Sequence, residues 1–463
     1  MPALHFQTIT HIAELMRSKK ISPVEITQDM LARIKQLDDR FKSYTTVMAD
    51  EALVAAKQAE TEIASGQYRG PLHGVPIAVK DLCFTKGVRT MGGSQALVDH
   101  IPSFDGTVIA KLKTAGAVLL GKLNLTEGAM GGYNPKFDVP VNPWHPERWA
   151  GASSSGSGVA TAAGLCFGSL GSDTGGSIRF PAAACGTVGL KPTWGRVSRY
   201  GVLPLAESLD HVGPLTRSVA DAGIMLEAIA GMDVNDPTSL PDAVPNMLAE
   251  MKKGVRGIRI GFDAHYATDD IDGELADAVV QSVKTLEKLG AEIVPVTLPD
   301  MDVYAAVWPI LCSAEAVFAH TATYPSRRDD YGPWFRGWLD KGVAVTGAEY
   351  AEAQVMLAAC VGHLRRVFAD IDVLVCPSMS APAHPVTPDI LYGPLPENRA
   401  PKFQRFTAPF DFNGAPTLSV PCGLNGENLP LSIQFVGKHL SETMLCQVGY
   451  AYEQTREWQH PQI

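Results

Sequence analysis

The chain has 463 residues, 46% hydrophobic and 19% charged, which is globular usage with enough apolar material for a large core. Its 39 Lys and Arg against 49 Asp and Glu leave a net charge of −10, which argues against a general binder of nucleic acid or other polyanions. The N-terminal segment lacks the charged stretch, apolar run and small-residue cleavage site of a signal peptide, and no span of about 20 strongly apolar residues suggests a membrane helix.

In chain order, Ser22-Pro23-Val24-Glu25 reads as a capping box with Pro at the first helical position. Ile26, Met30, Ile34 and Leu37 follow at helical spacing, which predicts an amphipathic helix over 23–38. Gly74 to Asp81 is a short apolar run closed by Lys80 and Asp81, the pattern of a buried strand whose C-terminal end reaches a site. A helix near 105–115 stops at Gly116, and Ala117-Val118-Leu119-Leu120 is the next buried strand. From Trp149 to Gly176 small residues dominate, which lets backbones approach closely. Val159-Ala160 and Leu165-Cys166-Phe167 punctuate that stretch with core residues and argue against a flexible linker. Residues 258–262, a helix carrying Leu275, Val279, Val283 and Leu286, and residues 293–296 make a β-α-β sequence. The segment 301–345 is rich in Trp and Tyr. A helix over 349–369, a buried strand over 371–376 and Pro- and Gly-rich loops over 377–401 come next. Strands at 417–421 and 431–436 and a final helix close the chain. Neither a repeat nor a linker divides it, so one α/β domain over 1–463 is expected. The eight cysteines form no C-x-x-C pair and the twelve histidines no H-x-x-x-H pair. That predicts reduced thiols in a cytoplasmic protein and neither metal nor cofactor.

The segment Gly116 to Leu123 nearly matches a phosphate-binding loop, but Leu123 stands where Ser or Thr would hold magnesium. No serine lies in a G-x-S-x-G elbow and no G-x-G-x-x-G opens a helix. The informative stretch is Gly171-Ser172-Asp173-Thr174-Gly175-Gly176-Ser177-Ile178-Arg179-Phe180-Pro181. Two glycines directly before a serine permit a tight turn whose successive amide N–H groups point into one cavity, an oxyanion hole with Ser177 at its edge. A serine nucleophile needs a base. Lys80, at the end of a buried strand, loses its proton when desolvated and can act through one of the hydroxyls of Gly151-Ala152-Ser153-Ser154-Ser155-Gly156. Taken singly, Lys80 also reads as a snorkelling charge and the serines as turn residues.

Together these residues resemble the amidase signature family. The likeness runs through Gly151-Ala152-Ser153-Ser154-Ser155-Gly156-Ser157-Gly158 to Gly189-Leu190-Lys191-Pro192-Thr193, and more loosely from about residue 22 to the C-terminus. The resemblance implies a mixed twisted β-sheet covered by helices on both faces, with the signature core at about 70–215. It implies Ser177 as acyl-forming nucleophile, Ser153 after a cis peptide bond as bridging serine, and Lys80 as base. Backbone amides of Thr174, Gly175, Gly176 and Ser177 would form the oxyanion hole, with Asp173 and Arg179 supporting the turn; a plain surface ion pair is the alternative for those two. Ala152 and Ser155 stand where the family more often has Gly.

The function this implies is a serine amidohydrolase cleaving the C–N bond of a small-molecule amide, with an aryl amide, carbamate or ester also admissible. Met130, Gly131, Gly132 and Tyr133, with Trp308, Trp334, Phe335 and Trp338, are candidates for an apolar substrate pocket, core packing being the alternative for the tryptophans. Two other readings stay open. One is the glutaminase subunit of a tRNA-dependent amidotransferase, whose pattern commonly has Gln where Phe180 stands. The other is a non-catalytic binding or assembly protein on the same fold. The expected partner is the amide substrate, with no nucleic acid and no membrane; a homodimer is the family expectation.

Overall fold

The computed structural model describes residues 3–396 and 404–463. Its strands are β1 (Tyr44–Val47), β2 (Pro76–Lys80), β3 (Val118–Leu123), β4 (Gly168–Asp173), β5 (Val188–Lys191), β6 (His211–Thr216), β7 (Arg259–Phe262), β8 (Glu292–Pro295), β9 (Val373–Pro377), β10 (Thr417–Leu424) and β11 (Pro430–Gly437). They form one eleven-stranded sheet in the order β1-β3-β2-β4-β6-β5-β10-β11-β9-β7-β8. The sheet is mixed. β2 runs parallel to β3 and β4, and β7 parallel to β8 and β9, while β4–β6–β5–β10–β11–β9 are joined by antiparallel pairs. Strands from the first and last quarters of the chain thus share one hydrogen-bonded surface, and the molecule is a single α/β domain.

Local chemistry accounts for most elements. Ser22 Oγ accepts from Glu25 N–H at 3.0 Å while the Glu25 carboxylate accepts from Ser22 N–H at 2.8 Å, and this reciprocal cap starts the Pro23–Phe41 helix. The β-α-β expectation appears as β7, the Gly273–Lys288 helix and β8. β4, with sequence GSLGSD, carries no β-branched or aromatic signal, and the sequence reading missed it. It forms because its small side chains let the Ser155–Ala162 helix close over the sheet: a Cβ at Gly171 would lie 2.8 Å from Ser154 Oγ.

Three sequence expectations need amendment. The Trp- and Tyr-rich segment forms two helices, Met301–Ala319 and Pro333–Ala344, packed together, the first of them also against the Gly347–Val367 helix. Met301–Ala319 is long and apolar enough to cross a bilayer by length and composition, although no such span was expected; its Tyr304, Trp308, Leu311 and Cys312 are buried inside the molecule. The stretch read as loop over 377–401 contains a short helix, Pro388–Tyr392, and its residues 397–401 lie outside the described residues. All eight cysteines are buried and unbridged.

Candidate active site

Lys80 is the last residue of β2, and its side chain is fully buried between that strand, the Ser153–Ser155 turn and the end of β4. Its Nζ lies 2.7 Å from Ser153 Oγ, 2.9 Å from Ser154 Oγ and 2.8 Å from Ser172 Oγ. No carboxylate pairs with it among the described residues. Burial pushes its pKa down to about 7, against the smaller opposing pull of Cys83, Asp173 and Asp210.

A neutral amine has two N–H donors and one lone pair, yet three hydroxyls surround it. Ser154 Oγ donates its own hydrogen to the Ser172 carbonyl at 3.1 Å, so it accepts from Lys80. Ser153 Oγ or Ser172 Oγ is left to donate into the lone pair. The Ala152–Ser153 peptide bond is cis. Ser154 N–H donates to the Ser177 carbonyl at 3.4 Å and so joins the Ser153 turn to the turn that carries Ser177.

Asp173 organises the second turn. Its carboxylate accepts from Gly176 N–H at 2.6 Å, Ile178 N–H at 2.9 Å and the Arg179 guanidinium at 2.7 and 3.0 Å. Arg179 also donates to Asp411 at 2.7 Å and to the Thr407 carbonyl at 2.9 Å. Asp173, Arg179 and Asp411 are fully buried, so this is an interior ion network and not a surface pair. Burial disfavours charge on Asp173, but the Arg179 guanidinium beside it prevails and holds the carboxyl well below the usual range.

One expectation about the turn is corrected. Gly176 N–H is spent on Asp173 and is not free for an oxyanion. The amides of Thr174, Gly175 and Ser177 have no acceptor among the described residues, and they are the donors that remain.

A cavity of about 350 Å³ opens at Ser177, at the small end of ligand pockets. Met130, Gly131, Gly132, Trp308 and Trp334 line it, as the sequence suggested. Tyr133, Phe335 and Trp338 do not. Tyr133 is buried with its hydroxyl on Ser155 Oγ at 2.8 Å, Phe335 fills the space over Gly128, and Trp338 stacks behind Trp334 and Trp308. Trp149, Phe180 and His384, none of them expected in the pocket from the sequence, make an aromatic wall. Trp149 and Phe180 have ring centroids 5.9 Å apart, and His384 stacks on Trp149 at 5.0 Å. Phe180 adjoins the Ser177 turn, but nothing local marks residues 149 and 384 as neighbours. Among the described residues no three His, Cys, Asp or Glu side chains are gathered to hold a metal.

The chain resembles known proteins over nearly its whole length. The family model described as Amidase matches residues 25–446. The putative amidase AmiD of Mycobacterium tuberculosis is 44% identical over 449 residues, covering 96% of this chain and 93% of that protein. A glutamyl-tRNA(Gln) amidotransferase component from Geobacter sp. is 38% identical, with 97% of each chain covered. Among solved structures, the native peptide amidase of Stenotrophomonas maltophilia superposes with a TM-score of 0.86 at 31% identity, covering 98% of each chain.

Proposed function

The chain belongs to the amidase family, the amidase signature enzymes, and is an amidase; from that premise we propose that it hydrolyses a small-molecule amide through an acyl-enzyme on Ser177. The observation that carries this reading is the desolvated amine of Lys80 held by three serine hydroxyls and, among the described residues, by no carboxylate.

With Lys80 neutral, its lone pair takes the Ser153 proton as Ser153 takes the Ser177 proton, and Ser177 Oγ attacks the amide carbonyl. Charge on the carbonyl oxygen is met by the free amides of Thr174, Gly175 and Ser177, fixed before reaction and partly shielded from water. Ser153 then returns its proton to the departing nitrogen, the C–N bond breaks, and the acyl group remains as an ester on Ser177. Water, deprotonated along the same chain, releases the acid.

The small cavity and its walls of Trp149, Phe180, Trp308 and Trp334 favour a flat, apolar acyl or aryl group over a charged one. An aryl amide, carbamate or ester fits that description. Phe180 also weighs against a glutaminase role: a benzyl group offers no hydrogen bond to a carboxamide. The test is turnover of an aliphatic amide, a nitroanilide, a carbamate, an ester and glutamine by wild type and Ser177→Ala. Nitroanilide or carbamate hydrolysis that vanishes in the variant is the expected result. Turnover of glutamine alone would transfer the assignment to the glutaminase component of an amidotransferase, and undiminished turnover by Ser177→Ala would end the scheme.

A further inference from the structure

We infer that Trp308 and Thr407 act as positioning residues for the oxyanion hole, clamping two successive carbonyls of the Ser177 turn: Trp308 aims the free Gly175 amide, and Thr407 fixes the Gly176 plane that joins it to the free Ser177 amide. This inference rests on the acyl-enzyme reading above. The Trp308 indole N–H donates to the Thr174 carbonyl at 2.8 Å. The Thr407 hydroxyl donates to the Gly175 carbonyl at 2.7 Å, and Gln404 Nε2 reaches the same oxygen at 3.3 Å.

A trans peptide is planar, with its C=O and N–H pointing in opposite directions. Holding the Thr174 carbonyl therefore fixes the direction of Gly175 N–H, one of the three amides without an acceptor. Holding the Gly175 carbonyl fixes Gly176 N–H, which is the amide delivered to Asp173. The Gly176 carbonyl accepts from Phe180 N–H at 2.7 Å, which fixes Ser177 N–H in the same way. Every peptide plane from Thr174 to Ser177 is thus held from its carbonyl side.

The clamp closes only over glycine. A Cβ at Gly175 would lie 2.7 Å from Trp308 ring atoms and 2.6 Å from Gln404 Nε2. The clamp is also anchored from behind, because the Thr407 carbonyl accepts from Arg179. Glycine otherwise leaves a turn free to rotate its peptide planes, so the Gly-Gly pair that permits the turn needs an outside restraint to keep its donors aimed. Neither residue is drawn from the turn itself: Trp308 comes from the Met301–Ala319 helix and Thr407 from the segment before the Ala408–Phe412 helix.

The experiment compares wild type, Trp308→Phe and Thr407→Val. The first substitution keeps an aromatic ring and removes the indole donor. The second is nearly isosteric and touches no part of the cavity. For each protein, kcat and KM are measured on the best substrate of the panel above. Inhibition constants are measured for a trifluoromethyl ketone carrying the same acyl group, which presents an oxyanion, and for the acid product, which binds the pocket without forming one. Both variants are expected to lose roughly tenfold or more in kcat, short of the loss from deleting an oxyanion donor outright, with KM within about twofold. Affinity for the ketone should fall by the same factor as kcat, and affinity for the acid should hold. Unchanged kcat in either variant overturns the inference. So does a parallel loss of KM, ketone and acid affinity, which would mark Trp308 as pocket wall and nothing more. Failure of wild type to be labelled by a fluorophosphonate at Ser177 would instead remove the acyl-enzyme reading, a result visible without either variant.

Discussion

Replacing Lys80 by Met keeps the length and apolar stem of the side chain while removing the amine, and the stability consequence has a definite pH signature. In the folded chain burial brings the Lys80 pKa to about 7, against 10.5 for the free side chain. Below pH 7 the amine is protonated in both states, so its contribution is flat and includes the full cost of burying the charge. Between pH 7 and 10.5 only the unfolded state holds the proton, so wild-type stability rises with pH by about 1.4 kcal/mol per unit relative to the Met variant. The whole interval corresponds to about 5 kcal/mol, and the part from pH 7 to pH 9 to about 2 kcal/mol. Chemical denaturation followed by tryptophan fluorescence at pH 6, 7, 8 and 9, on both proteins side by side, isolates this one titration because all other groups are shared. The expected stability difference is level from pH 6 to 7 and then shifts toward wild type. A difference that stays level through pH 9 would mean that Lys80 is charged in the folded enzyme, and the proton path from Ser177 through Ser153 would lose its terminus. The same pKa predicts that kcat/KM rises with pH to a plateau through an apparent value near 7.

Three further outcomes are expected. Ser177→Ala abolishes both turnover and fluorophosphonate labelling while its denaturation midpoint stays close to wild type, as read by mass spectrometry and fluorescence. Arg179→Met leaves the buried Asp173 and Asp411 carboxylates without their shared guanidinium; it should cost about 3 to 5 kcal/mol in denaturant unfolding, and a loss under 1 kcal/mol would mean that the network contributes little. Phe180→Ala removes the ring packed on Trp149 and should raise KM for a nitroanilide by roughly tenfold through loss of about 1.5 kcal/mol of aromatic contact, with a smaller change for an aliphatic amide; equal changes for both would count against an aryl-selective wall.

What the sequence disclosed follows the range of the interactions involved. The Ser22–Glu25 cap is complete within four residues, so the Pro23–Phe41 helix was legible from its first turn. β3 and β9 announce themselves as apolar runs. β4 and β6 do not: GSLGSD and HVGPLT carry Gly, Ser and Pro where propensity would ask for branched residues, and their pairing with each other comes from tertiary packing. The helix Ala49–Ala64 buries Ala52, Ala56, Ala59 and Ile63 at helical spacing, but three of the four are alanines, whose small side chains give little apolar contrast to mark it.

The site divides along the same line. Lys80, Ser153 and Ser177 sit in motifs whose residue types and order are informative in themselves. Their hydroxyl neighbours Ser154 and Ser172 lay inside the quoted runs, yet only the fold points them at Lys80 Nζ. Asp411, Thr407 and Gln404 meet the Ser177 turn across more than 200 residues of chain, a separation that leaves no local trace. The opposite error befell Phe335 and Trp338, which look like pocket residues by composition but serve as packing, Phe335 over Gly128 and Trp338 behind Trp334.

The link from Arg179 to Asp411 and Thr407 has a consequence for the order of events during synthesis. The ribosome delivers Lys80, Ser153 and Ser177 well before residue 404, and β5 waits for β10 to cover its open edge. Until that late segment arrives, Arg179 lacks two of its acceptors and the Gly175 carbonyl lacks its restraint. On the proposed scheme, a chain that stops short of residue 404 would carry Ser177 without the contacts that hold its turn, and activity would await docking of the last eighth of the polypeptide. A product truncated before residue 404 is expected to be inert by the same reasoning.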